Sequence, residues 1–446
     1  MNLGPLMVLA CSLLAQAGQE GQAASPKGPD TLSLRTALDL TLRHHPRLLN
    51  SAGAKLQAQG SYRNTRSTFY PQVRASGSLN RGGNLDLGDV SSFSDVTSGE
   101  STTSSVQAQL SQQIWDFGRS GARLAGGRSN RQATDYDALT TREDLILAAI
   151  EAYYRLWQAE AVQKVDSLAL QQALAHAQQA GILEETGQGT RYQVIKADVD
   201  VENARLNQLR SANGRRLAKG NLEQALGLDL DEGVVLQDSL GSDASGEAFP
   251  DSLDPSDPDR AVRLALENRS EVSAAKWRLE SARQFQLAAD RAAWPALSGN
   301  AGYRYAARDP DWEWQGQWSV GLSASLPVFD GGAIRGSKEQ AEGSVITARG
   351  NLAAVERSIA LDARTQALNW TEADQRVLIA ERLVAQAALG LELSQERYKT
   401  GAGFFLELTD AELAFSQAQI ARIQALVDRR IAAASLQRAL GVKDKP

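Results

Sequence analysis

The sequence predicts a mainly α-helical chain with a transmembrane β part, built as a duplicated unit of helix, β-hairpin and long helical hairpin. Three observations predict it: an internal repeat, two changes of hydrophobic period within each half, and a proline-free run too long for an ordinary globular helix. The 446 residues carry 47 Lys and Arg against 53 Asp and Glu, a net charge of −6. A nucleic-acid binder would show a basic excess, so nucleic acid is not an expected partner. One cysteine excludes a disulfide framework and a cysteine-based zinc cluster. Three histidines (His44, His45 and His176) are too few for a His-centred site, so no metal, cofactor or catalytic set is expected. Aromatics make up only 6%, and Leu and Ala dominate, as in long, closely packed helices.

The first segment reads as an export signal. Leu3 to Ala15 is apolar but too short to span a bilayer, and Ala15-Gln16-Ala17 has the small-x-small form of a cleavage site. The expected signal peptide is therefore 1–17. Cys11, after Val8-Leu9-Ala10, keeps a second processing open, acylation at that cysteine. No later stretch approaches the ~18 apolar residues of a membrane helix.

The remainder is a duplication. Ala37-Leu38-Asp39-Leu40-Thr41-Leu42 recurs as Ala261-Val262-Arg263-Leu264-Ala265-Leu266, and Tyr70-Pro71 as Trp294-Pro295 at the same offset. The offset then shortens by ten and holds: Asp116-Phe117-Gly118 answers to Asp330-Gly331-Gly332, Thr186-Gly187-Gln188-Gly189 to Thr400-Gly401-Ala402-Gly403, and Ala225-Leu226-Gly227 to Ala439-Leu440-Gly441. A constant offset means helix lengths held to the residue, as packed helix pairs demand. The expected organisation is a first repeat over 18–240, an Asp/Ser/Pro-rich linker over 241–258, and a second repeat over 259–446.

Each half opens helical, with Pro46 breaking the first stretch, and then shifts to period two. Val73, Ala75, Gly77 and Leu79 alternate with Arg74, Ser76, Ser78 and Asn80. Val106, Ala108 and Leu110 alternate with Gln107, Gln109 and Ser111. Strands are expected at about 71–83, 105–116, 296–307 and 316–328, the last carrying Trp318, Val320 and Leu322 on its apolar side. Strands of about ten residues with one apolar and one polar face suit a membrane barrel with a wet lumen, and equally a soluble sheet with one face buried. Phe69, Tyr70, Trp115, Trp294 and Phe329 sit where strands meet helices, the interface level preferred by amphipathic rings; with the export signal and the lack of apolar membrane helices they tip the reading toward the barrel.

Long helices follow, at about 120–181 and 190–227 and again at 333–399 and 404–440. The first amounts to roughly 90 Å at 1.5 Å per residue. Leu145, Ala149, Ala152, Leu156 and Ala159 step by four and three, a heptad seam, as do Val194, Ala197, Val201 and Ala204. Four strands cannot close a barrel, and an open membrane sheet would leave edges unpaired in lipid, so several copies must share one barrel.

Taken together, Leu34-x-x-Ala37-Leu38-x-x-Thr41-Leu42 with Pro46, Phe69-Tyr70-Pro71, Ile114-x-Asp116-x-Gly118-Arg119, Leu326-Pro327-Val328-Phe329-Asp330-Gly331-Gly332, Arg397-Tyr398-x-x-Gly401 and Ala439-Leu440-Gly441 resemble the TolC family of outer-membrane efflux and secretion channels. The resemblance covers nearly the whole chain after the signal. It implies a homotrimer in outer-membrane lipid, with a shared 12-stranded barrel on a 12-helix periplasmic tunnel. It further implies a tripartite efflux or type I secretion system, with a periplasmic adaptor (membrane fusion) protein and an inner-membrane pump of RND or ABC type. It assigns Gly187, Gly189, Gly401 and Gly403 to turns that contact the adaptor, although a helix reversal wants glycine for its own sake. It assigns Tyr398, Glu407 and Asp410 to a periplasmic gate, although a solvated helix face would also carry the two acids. Gly403 and Gln193 depart from the family, which places an arginine and an acidic residue there.

Two other classes compete. An extended coiled-coil scaffold explains the helices but not the hairpins with their aromatic ends. A secreted enzyme has no nucleophile–His–acid set to offer, and the Gly-x-Gly pairs lack the strand and lysine of a phosphate loop.

Overall fold

The structure, a computed structural model, describes residues 31–85, 98–231, 234–237, 257–308, 312–400 and 402–441. The signal segment 1–17, Gly401 and all of the 241–258 linker except its last two residues lie outside the described residues. The chain is mainly helical and forms two compact units. One comprises 1–48, 142–261 and 363–442; the other comprises 49–141, 262–362 and 443–446. Each unit therefore draws on both sequence halves.

The first unit opens with β1 (Thr31–Leu32) and α1 (Leu34–His44). Ser33 caps α1 by accepting from the Thr36 N–H at 3.2 Å. His45, the residue before Pro46, is extended, and α2 (Pro46–Ser67) starts on the proline itself, whose missing N–H costs nothing in a first turn. Most of the long α3 (Arg119–Glu185), all of α4 (Arg191–Leu226) and the short β4 (Val235–Leu236) belong to this unit. β1 and β4 pair in parallel, Leu32 opposite Leu236. Leu32, Ala37, Tyr153, Leu156, Leu222 and Leu226 make its core, where the Tyr153 hydroxyl donates to the Leu32 carbonyl at 3.1 Å. On the α3 seam Leu145, Ala149 and Leu156 are buried, with Ala152 and Ala159 half-buried beside them. The unit also contains the C-terminal part of α7 (Ala333–Lys399) and all of α8 (Phe405–Leu440).

The second unit holds the sheet and the helix segments under it. α5 (Pro258–Asn268) and α6 (Ser270–Asp290) lead through a short 3-10 turn (Arg291–Ala293) into the second hairpin; α5 begins at the end of the first unit. The four strands are β2 (Gln72–Leu85), β3 (Ser98–Trp115), β5 (Ala296–Arg308) and β6 (Gln315–Ser325), ordered β2-β3-β5-β6 and antiparallel throughout. The helices pack through small residues: Ala122, Ala133, Ala274 and Ala288 are buried. Close approach of α3 and α6 lets the Ser281 hydroxyl donate to the Gly126 carbonyl at 2.9 Å. Arg291 donates to the Gly118 carbonyl, also at 2.9 Å.

Candidate functional site

Two regions carry the residues singled out from the sequence: the helix reversals of the first unit and the sheet of the second. In the first reversal α3 ends at Glu185 and α4 starts at Arg191. Gly187 sits at φ 76°, the left-handed region that favours glycine, and the Gln188 and Gly189 N–H groups both donate to the Leu183 carbonyl at 2.9 and 2.8 Å. In the second, the Ala402 and Gly403 N–H groups donate to the Arg397 carbonyl at 2.9 Å each. Gly189 and Gly403 are equivalent in packing as well as in sequence. A Cβ on either would lie 3.0 Å from the helix end just before it, against Leu183 and Glu184 or against Arg397. The close return of the chain leaves little room for a side chain at position 403. Gln193 also has a local role: its side chain accepts from the Thr190 N–H at 2.9 Å while its own N–H donates to the Thr190 hydroxyl, closing a capping box on α4.

Tyr398 is half-buried and packs on Phe405, ring centres 6.1 Å apart, in a cluster with Ala180, Ala197 and Val194. Glu407 faces Arg397 at 3.6 Å on an exposed surface, a weak pair by its distance and solvation. Asp410, one turn further along α8, is exposed and makes no ion pair among the described residues. It lines a groove of about 280 Å³ between α3, α4 and α8, together with His176, Lys196, Asp200 and Glu412. There the His176 Nε2 meets the Glu412 carboxylate at 2.8 Å, and Lys196 pairs with Asp200 at 2.5 Å. The Glu412 hydrogen bond raises the His176 pKa above its ordinary 6.5, against the opposing effect of burial. Sequence reading missed this pair, since nothing local marks partners 236 residues apart. It also passed over Phe405, whose burial anchors the second reversal. Among the described residues no group of three His, Cys, Asp or Glu is placed to hold a metal ion.

In the sheet, Val73 stands opposite Leu110, Ala108 opposite Tyr303, Ala301 opposite Val320, and Tyr303 opposite Trp318. These residues share one face, and its large members are open: Val73 is 71% exposed, and Trp318 and Val320 are 75% each. β6 is exposed along its whole length. The other face carries Arg74, Ser78, Gln107, Gln109, Asn300 and Arg304, tied by Ser78–Ser105 and Asn300–Ser323 hydrogen bonds of 2.9 and 3.0 Å. At the helix end of the strands Trp115, Phe117 and Trp294 touch, with ring centres 6.0 and 5.1 Å apart. Tyr70 accepts a hydrogen bond from Arg66 at 2.8 Å, its neighbour Phe69 is exposed, and Phe329, four residues past the end of β6, is exposed as well. At the opposite end Tyr305 stacks on Trp314 at 5.1 Å. Trp312 and Trp314, just before β6, mark this second aromatic level in the sequence.

A sequence profile described as outer membrane efflux protein matches residues 37–228 and again 261–442. The chain belongs to the outer membrane efflux protein family. The double match spans both halves of the chain. The outer membrane protein TolC of Vibrio cholerae serotype O1 is 23% identical to this efflux-family chain over 412 residues, covering 89% of it and 87% of TolC. Two solved structures share the fold: the outer-membrane channel OprN (TM-score 0.77, 20% identity, 92% of this chain and 89% of that one) and the open state of the Neisseria gonorrhoeae MtrE outer membrane channel (TM-score 0.77, 20% identity, 92% and 88%). Outer membrane efflux proteins are channels rather than enzymes, and this TolC-like member is placed in the outer membrane by its family.

Proposed function

We propose that three copies of this chain close a twelve-stranded barrel in the outer membrane, continued by a twelve-helix periplasmic tunnel, as the passive exit duct of a tripartite efflux or type I secretion system. The open apolar face of the sheet carries this reading. A four-stranded antiparallel sheet with free edges at β2 and β6 and its Val, Leu and Trp residues turned outward has no use for that face in water. Pairing β6 of one copy with β2 of the next removes both edges and gives the apolar face to lipid. The aromatics Phe69, Tyr70, Trp115, Trp294 and Phe329 then form one interface girdle, and Tyr305, Trp312 and Trp314 the other. A scaffold without a pore leaves the face unexplained.

In this reading residues 1–17 direct export, and 241–258 joins the two repeats. The reversals at Gly187, Gly189, Gly401 and Gly403 meet a periplasmic adaptor that couples to an inner-membrane RND or ABC pump. Tyr398, Glu407 and Asp410 gate the entrance. Three copies of each acid about an axis attract cations.

The deciding experiment is light scattering on detergent-purified protein together with planar-bilayer recording. A three-chain mass and stepwise conductance are expected; a stable, water-soluble single chain overturns the proposal. Given pores, Glu407→Gln with Asp410→Asn lowers cation preference, and unchanged selectivity removes these acids from the gate.

A further inference from the structure

The charges on the sheet are one-sided. Its four strands contain four arginines, no lysine and one carboxylate, Glu100. Glu100 is opposite Gly83, three residues past Thr103, the last β3 residue paired with β5. Two of the arginines, Arg74 on β2 and Arg304 on β5, share the polar face. The register places them in neighbouring rows. Arg74 aligns with Gln109, Gly302 and Ser319, and Arg304 aligns with Ser76, Gln107 and Gln317. Adjacent rows on one face are two residues, or about 7 Å, apart along the strands. Both arginines are exposed, and neither has a carboxylate within ion-pair distance among the described residues. Every other side chain in the two rows is neutral.

We propose that Arg74 and Arg304 form an anion-selecting belt on the lumen wall of the barrel, a site for passing solutes that carry carboxylate or phosphate groups. This rests on the channel reading above, in which the polar face lines the lumen and three copies contribute six guanidiniums. Each guanidinium offers a planar fork to two oxygens of an anion. Gln107, Gln109 and Gln317 add amide donors beside the forks. A ring of fixed cations in a lumen walled by low-dielectric barrel raises the local anion concentration and excludes cations. The belt therefore opposes the carboxylates proposed for the gate, and total selectivity is the product of the two. For that reason the belt is read from differences between variants.

The test is reversal potential in a KCl gradient, measured on the purified trimer in planar bilayers, with inorganic tripolyphosphate as the anionic probe. Arg74→Gln with Arg304→Gln shifts the reversal potential toward potassium by a several-fold rise in the K⁺/Cl⁻ permeability ratio. Tripolyphosphate blocks the wild type, and the block weakens at least tenfold in the double variant; Arg304→Lys keeps the K⁺/Cl⁻ permeability ratio close to that of the wild type and loses part of the block. Full conductance with an unchanged reversal potential overturns the belt. So does a wild-type pore that tripolyphosphate does not block, a result that requires no variant to assemble. Absence of any wild-type conductance instead overturns the channel reading on which the belt rests.

Discussion

The core of the first unit and the sheet of the second treat the same kinds of residue in opposite ways. Tyr153, Leu222 and Leu226 are fully buried among α1, α3 and α4, and the one polar atom of Tyr153 is satisfied by the Leu32 carbonyl. Val320, Leu322 and Trp318 on β6 are at least 73% exposed. The chain finishes the first core by itself, whereas the apolar face of the sheet stays uncovered. Where a side chain is left open thus says as much about the intended solvent as about the fold.

Three comparisons of variants break or sharpen that contrast. The largest effect is expected from Val320→Arg on the apolar face. A charge facing mid-bilayer lipid costs about 2–4 kcal/mol per copy, so assembly into vesicles should fall sharply while the neighbouring Ser319→Arg, on the polar face, assembles normally. Equal assembly of the two variants would erase the distinction between the faces. Next comes Tyr153→Ala, expected to lower the stability of the first unit by about 3–5 kcal/mol in urea titration through its cavity. Tyr153→Phe, which removes only the hydroxyl, should cost about 1 kcal/mol. Conductance per assembled pore stays unchanged in both.

The smallest effect concerns His176. Its folded pKa is raised by Glu412, so the charged form is favoured in the native state. That stabilisation is complete below the unfolded value near 6.5 and fades as pH rises through the higher folded value. The wild type should therefore lose its stability advantage over His176→Gln as pH rises past about 6.5, seen as converging urea midpoints. Partial exposure and the Lys196–Asp200 pair in the same groove keep the difference small. A constant gap over that rise would show that the imidazole does not titrate against Glu412.

Much of this was legible before any coordinates. The mainly helical character followed from proline-free runs and three-four stepping. The alternation of Val73 to Asn80 separated the two faces of a strand, because side-chain direction along a strand depends only on parity. The break at Pro46 followed from the missing N–H of proline. Other features had no local signal. β1 and β4 are two residues each, too short for any period. Tyr153 lies one position off the stepping Ala152–Leu156 seam, yet it is the residue that closes the core. Gln193 and Gly403 serve local structure that no hydrophobic period signals: a capping box and a close return of backbone.

By itself the sequence determined where the chain is helical, where it is extended and which side of each strand is oily, since these depend on residues within a few positions of one another. Only the tertiary structure decided that β3 lies against β5, that His176 meets Glu412, and that Arg74 and Arg304 occupy neighbouring rows of one face. Those pairings join residues far apart in the chain. Hydrophobic period specifies a face to be covered and leaves its partner open, and that choice is made by the packing of the whole assembly of strands and helices.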